Sequence, residues 1–106
     1  MDKRLIFLAG EIKTPPFASA ARLEAGFLLR QLQQGISIAL PHSRPMPVIG
    51  TNCHELRIKD ADREWRIIYH IDPEYIVILG VFAKKTRETP QAIIDLCQKR
   101  LKEFLA

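Results

Sequence analysis

At 106 residues the chain is long enough for one domain with its own core and too short for two, so a single unit spanning residues 1–106 is expected. Its 47% hydrophobic and 26% charged residues exclude a disordered polar chain, and the longest apolar run, Ile76 to Ala83, is too short to cross a bilayer. A net charge of +4 favours contact with phosphates or with an acidic partner, and where the charges fall matters more than their sum.

The first residues, MDKRLIFLAGEIK, have a basic start without a signal-length apolar region or a cleavage site, which leads to a cytoplasmic expectation with no membrane partner. Within them Arg4 to Ala9 is a short apolar run ended by Gly10, read as a first strand at a sheet edge. Thr14-Pro15-Pro16 bars continuation of the strand, and Thr14, with Ser19 as its rival, is the candidate cap of a helix. From about Ala18 to Gln34 the residues Ala21, Ala25, Leu28, Leu29 and Leu32 fall on one helical face, and Gly35 follows where a left-handed C-terminal cap sits.

Ile36 to Asn52 differs. Pro41, Pro45, Pro47 and Gly50 exclude regular structure, while Ile38, Leu40, Met46, Val48 and Ile49 pin the segment down as an ordered loop. Its His42, Ser43 and Arg44 come just before charged strands, where they either line a site or serve only as a connection.

Cys53 to Lys59 alternates, with Leu56 and Ile58 on one side and Glu55, Arg57 and Lys59 on the other. Glu64 to Ile71 does the same: Trp65, Ile67, Tyr69 and Ile71 are apolar, while Glu64, Arg66 and His70 lie opposite, interrupted by Ile68. A hairpin turn at Asp60-Ala61-Asp62-Arg63 sets Arg57 directly across from Arg66, a like-charge pair that costs stability unless a carboxylate, a partner or a phosphate lies between. Glu55 and Glu64 are available as partial compensation. Tyr75 to Phe82 is apolar on both faces, as for a strand covered on both sides. With Asp72-Pro73-Glu74 as a three-residue turn, Arg66 pairs with Gly80, which leaves space beside the arginine, and Lys84 shares its face.

Thr89-Pro90 reads as a cap and first turn of a last helix that runs to about Phe104, with Ile93, Cys97, Leu101 and Phe104 or Leu105 as its buried stripe. Cys53 and Cys97 have no metal-ligand spacing and read as buried free thiols.

The register thus gathers Arg57, Arg66 and Lys84 or Lys85, with Lys59 at the rim and Arg44 and His42 on the proline loop. Guanidinium groups bind phosphate in a fork, so the set suits a phosphodiester. On RNA the 2′-hydroxyl can be the nucleophile, leaving the protein to orient the chain and stabilise charge on phosphorus. A solvated charged face offers the plain alternative. Strand parity turns His54 away from Arg57, and Trp65 and Tyr69 share the phase of the core residues Ile67 and Ile71. The acids and histidines show no metal-binding pattern, and no cofactor is called for.

CHELRI at 53–58, WRIIYHI at 65–71, IVILGVFAKKT at 76–86 and the helix opened by Thr89-Pro90 resemble, in this order, the RelE/HigB superfamily of toxin-antitoxin ribonucleases, and more closely its phage-derived HigB-like branch. The resemblance implies a small α+β fold: an antiparallel sheet of about four strands flanked by an N-terminal helical segment and a C-terminal helix. It also implies cleavage of messenger RNA, often on the ribosome, and neutralisation by a cognate antitoxin, commonly a helix-turn-helix protein. By position, Arg57 and Arg66 match basic residues of that family's site, and Lys84 and Lys85 match its basic pair after the last long strand. Where some members place a catalytic aromatic or histidine near the C-terminal end, this chain has Gln91.

Overall fold

The computed structural model describes residues 2–8, 17–61, 63–85 and 87–106. In chain order these form β1 (Arg4–Phe7), α1 (Ser19–Gln33), β2 (Ser43–Pro45), β3 (Cys53–Lys59), β4 (Glu64–Ile71), β5 (Tyr75–Ala83) and α2 (Gln91–Leu105). The strands make one sheet in the order β1-β5-β4-β3-β2, antiparallel except for β1, which runs parallel to β5. A parallel neighbour requires a crossover, but β1 comes first in the chain and β5 last, so the connection runs through α1 and the other strands.

Alternation along the strands gives the sheet two buried faces, each under one helix. On one face Leu56, Ile58, Trp65, Ile67, Tyr69, Ile76 and Ile78 meet Ala21, Ala25, Leu28, Leu29 and Leu32, the stripe read from the helical period of α1. Phe17 closes that core by stacking on Trp65 at 4.4 Å. On the other face Cys53, Ile68, Val77 and Leu79 meet Ile94, Cys97 and Leu101 of α2, with Ile93 and Phe104 at the margin. Ile68, which breaks the polar alternation of β4, is therefore fully buried beneath the second helix. Both cysteines are free and buried, and burial pushes each thiol up to about 11, away from reactivity at neutral pH. No helix among the described residues is long and apolar enough to cross a membrane.

Several expectations about local structure change. The proline loop contains a strand after all, because an edge strand tolerates Pro45 where its missing N–H faces no neighbour; Ser43, Arg44 and Pro45 pair with Leu56, Glu55 and His54. The sheet is consequently five-stranded. Arg66 pairs with Phe82, not with Gly80. Two displacements add up here. The turn after β4 is one residue longer than expected, pairing Ile71 with Ile76, and a bulge between Ile68 and Tyr69 on the β4–β5 ladder, where Ile68 faces Gly80 and Tyr69 faces Ile78, supplies the second. Gly80 instead lets α2 approach, since a Cβ there would lie 2.9 Å from Cys97 Sγ.

The caps also differ. Ser19 is the first residue of α1, and no side chain of the preceding Ala18 caps it; the Ala18 N–H donates to Asp60 Oδ2 at 3.0 Å, so the β3–β4 turn performs that task. Thr14 lies outside the described residues, as do Ala9, Gly10 and Asp62. The last helix starts after Pro90, and Thr89 spends its hydroxyl elsewhere, as described below. Gly35 does take the left-handed conformation, with φ 86°, just past the end of α1.

Candidate functional site

The β3–β4 hairpin places Arg57 opposite Arg66, the register read from the sequence. Its turn is fixed by Asp60: the Asp60 N–H donates to the Arg63 carbonyl, and the Asp60 carboxylate accepts from the Ala61 N–H at 2.8 Å and from Trp65 Nε1 at 2.9 Å. The frame holding the two arginines is thus tied both to the turn and to the α1 core.

The repulsion between them is not left to solvent. Glu55, two residues before Arg57 and on the same face, is fully buried and accepts from Arg66 Nη1. Arg44 Nε donates to the same oxygen at 3.0 Å, and Thr89 Oγ1 donates to the other at 2.8 Å. Arg66 Nη2 reaches Glu64 Oε2 at 3.3 Å, and Lys84 Nζ lies 3.7 Å from that oxygen. The result is a ladder of alternating sign, Arg44–Glu55–Arg66–Glu64–Lys84, crossing from β2 to the end of β5. Burial works to raise the Glu55 carboxyl, but the Thr89 hydroxyl together with the Arg66 and Arg44 charges outweighs it and holds the group below its ordinary range.

Arg57 stands beside this ladder without joining it. It is half-buried, its N–H donates to the His42 carbonyl at 2.8 Å, and no carboxylate among the described residues pairs with its guanidinium. The buried Nε–H groups of Arg57 and Arg66 both lack a hydrogen-bond partner among the described residues. Buried donors in that condition are uncommon, and an acceptor presented from outside would satisfy them.

The other residues singled out from the sequence fall around this centre. Lys84 is half-exposed and in the ladder; Lys85 follows it, exposed. Lys59 is exposed at the rim, opposite Glu64. His42 contributes its carbonyl to the Arg57 strand, while its side chain is exposed. Arg44 belongs to the ladder and also lines an open cleft of about 460 Å³ between the β2 edge and the start of α2, shared with Met46, Arg87, Thr89 and Gln91.

The remaining histidines are turned elsewhere. His54 stacks on Tyr69, their ring centroids 5.3 Å apart, on the α1 side of the sheet. His70 is buried near α2, with Nδ1 3.0 Å from the Thr51 carbonyl and its ring edge-on to Phe104. Tyr69 shares a 2.7 Å hydrogen bond with Ser43 inside the core, so neither it nor Trp65 is presented as a stacking surface. No group of three or more His, Cys, Asp or Glu among the described residues could hold a metal ion.

Two functional candidates escaped the sequence reading. Glu55 appeared there only as partial compensation, and Thr89 as a helix cap. A usable signal existed for Glu55, since it shares strand parity with Arg57 and sits diagonally from Arg66, but its burial depends on Thr89, 34 positions away.

The fold and this face define a small α+β protein whose sheet carries a cation-rich, carboxylate-braced patch. The chain belongs to the phage derived protein Gp49-like family (DUF891), which it matches over residues 16–102. No curated protein matches it.

Proposed function

We propose that this protein is the toxin component of a toxin-antitoxin system, a RelE/HigB-type endoribonuclease that cleaves messenger RNA, associated with the ribosome, through attack by the RNA's own 2′-hydroxyl. The observation that carries the reading is Arg57. It is a guanidinium set against a second arginine and given no carboxylate among the described residues, with a buried donor that none of those residues answers. A phosphodiester supplies both the negative charge and the acceptors that this arrangement lacks. Membership of the phage-derived Gp49-like family supports the same reading.

In this scheme Arg57 binds the scissile phosphate, and Arg66 with Lys84 and Lys85 stabilises charge as it develops on phosphorus. Lys59, Arg44 and His42 flank the path of the RNA strand, and the cleft beside Arg44 accommodates its continuation. No metal is needed for the chemistry, because the nucleophile belongs to the substrate. The partners are messenger RNA and a cognate antitoxin of the helix-turn-helix type.

Controlled expression of wild type, Arg57→Ala and Arg66→Ala in a bacterial host is the test. Growth arrest with cut transcripts in the wild type alone is expected; equal growth and intact transcripts in all three would sink the reading. A neighbouring reading frame encoding a small helix-turn-helix protein that restores growth would identify the partner.

A second reading has its own support: Glu55 and Glu64 each pair with Arg66, and none of the three histidines joins the ladder as a proton carrier. On that basis the chain is a non-catalytic module that binds RNA or an antitoxin. Tight, salt-dependent RNA binding with no cleavage in either EDTA or magnesium would favour it.

A further inference from the structure

We infer that Glu55 is the positioning residue of this site: its carboxylate aims the Arg66 guanidinium and offsets part of the charge on Arg66 and Arg44, leaving Arg57 as the guanidinium of this face with no carboxylate partner among the described residues. The geometry argues against a role for Glu55 as proton acceptor. Its side chain is 1% exposed, one oxygen is taken by both arginines, and the other accepts from Thr89. A carboxylate so enclosed offers no oxygen to a 2′-hydroxyl. What it does offer is a fixed point linking β2 through Arg44, β4 through Arg66 and the approach to α2 through Thr89.

Fixing matters because arginine has many rotamers and two facing arginines repel. Without a brace, Arg66 would swing from Arg57 toward solvent, and its alignment with a phosphate would have to be re-established in each turnover. With Glu55 in place, the order of charges across the face is set before RNA arrives, and Arg57 keeps its charge without a carboxylate partner among the described residues. This inference rests on the endoribonuclease reading for its effect on turnover, but its statement about charge concerns RNA binding alone.

The test uses the full-length chain with Glu55→Gln, which keeps the shape of the side chain and removes its charge. Cleavage of a single-stranded RNA is followed for kcat and KM, and affinity for a 2′-O-methyl RNA of the same sequence is measured across salt concentrations. The expected result is a kcat lower by about 100-fold, the scale of a misplaced catalytic group. RNA affinity should rise at the same time. The slope of log affinity against log salt should steepen by roughly 0.7 for each further phosphate that a released arginine neutralises. A kcat loss with an unchanged slope would overturn the inference, and so would an unchanged kcat. If the wild type binds RNA but never cuts it, the endoribonuclease reading fails, and the slope of Glu55→Gln alone decides: steeper supports the charge-offsetting role, unchanged ends it. Should Glu55→Gln show no cooperative melting, Thr89→Val takes its place, since it removes one donor to the carboxylate at a half-buried position. It should lower kcat about tenfold at constant KM, the kinetic equivalent of one such hydrogen bond, and an unaltered kcat would overturn the inference.

Discussion

The Glu55 carboxylate and the Arg66 guanidinium form an ion pair with side chains 1% and 4% exposed, one rung away from the point where Arg66 faces Arg57. Taking both charges out of water is costly, and the pair survives because Arg44, Thr89 and Glu64 add hydrogen bonds to it. Losing one member is worse than losing both. Glu55→Ala should therefore lower the unfolding free energy by about 3–5 kcal/mol in urea titrations, the usual scale for an orphaned buried charge. The apolar replacement Glu55→Leu with Arg66→Met should recover a large part of that loss. If the double variant is no more stable than Glu55→Ala, the pair is not the source of the cost.

Acid should weaken the same brace. The folded state holds Glu55 below its ordinary value of 4.5, so the unfolded chain takes up a proton first as pH falls. The stabilisation is complete above about 4.5 and is lost as pH drops through the lower folded value. Melting temperatures measured downward from neutral pH should fall in that window, and Glu55→Gln should show a shallower fall than the wild type. Asp60, held low by the Ala18 N–H, the Trp65 indole and the Ala61 N–H, adds to the slope in both proteins, so it is the difference between them that reports on Glu55.

The histidines set a separate dependence closer to neutrality. Burial lowers His54, helped by His70, and burial lowers His70 against the opposing Thr51 carbonyl and Asp72 charge. A histidine whose folded value lies below its ordinary 6.5 favours folding in its neutral form, so its contribution is complete above 6.5 and declines as pH falls below it. Stability should climb as pH rises toward 6.5. His54→Gln with His70→Gln should flatten that climb, whatever its effect at neutral pH; an unchanged slope would mean that neither ring is held neutral.

Gly80 is constrained from above. An added Cβ would sit 2.9 Å from Cys97 Sγ, closer than side chains pack, so Gly80→Ala should destabilise by about 1–3 kcal/mol through displacement of α2. Cys97→Ala removes the obstructing sulfur, and the double variant should cost less than the sum of the two single ones. Strict additivity in denaturant titrations would show that the two positions do not press on each other.

How much of this was legible in the sequence follows the range of the interactions. The α1 stripe from Ala21 to Leu32 and the Arg57–Arg66 register depend on periods of a few residues and one short turn, and both emerged correctly. The Arg66–Gly80 pairing failed because a longer turn and a bulge each moved the strand by one, and the bulge at Ile68 and Tyr69 leaves no mark in residue type. The Ser43–Pro45 strand was hidden by its prolines, which bar a central strand and not an edge. Burial of Glu55 and the use of Thr89 were out of reach, since they depend on β2 and the start of α2 closing over one carboxylate.

Arg57 distinguishes a functional face from a solvated one. Directly opposed like charges cost a few tenths of a kcal/mol to about 1 kcal/mol, and although Glu55 and Glu64 hold Arg66, no carboxylate among the described residues pairs with Arg57. Arg57→Gln should thus leave stability unchanged or raise it by up to about 1 kcal/mol in urea titrations. Growth arrest and RNA binding should fall sharply in the same variant, and Arg57→Lys, which keeps the charge and loses the fork, should restore binding better than cleavage. This opposition between stability and activity is the mark of a residue retained for its ligand. A stability loss on the scale of Glu55→Ala would instead make Arg57 part of the frame. Activity equal to wild type, with stability also equal, would make it ordinary surface charge.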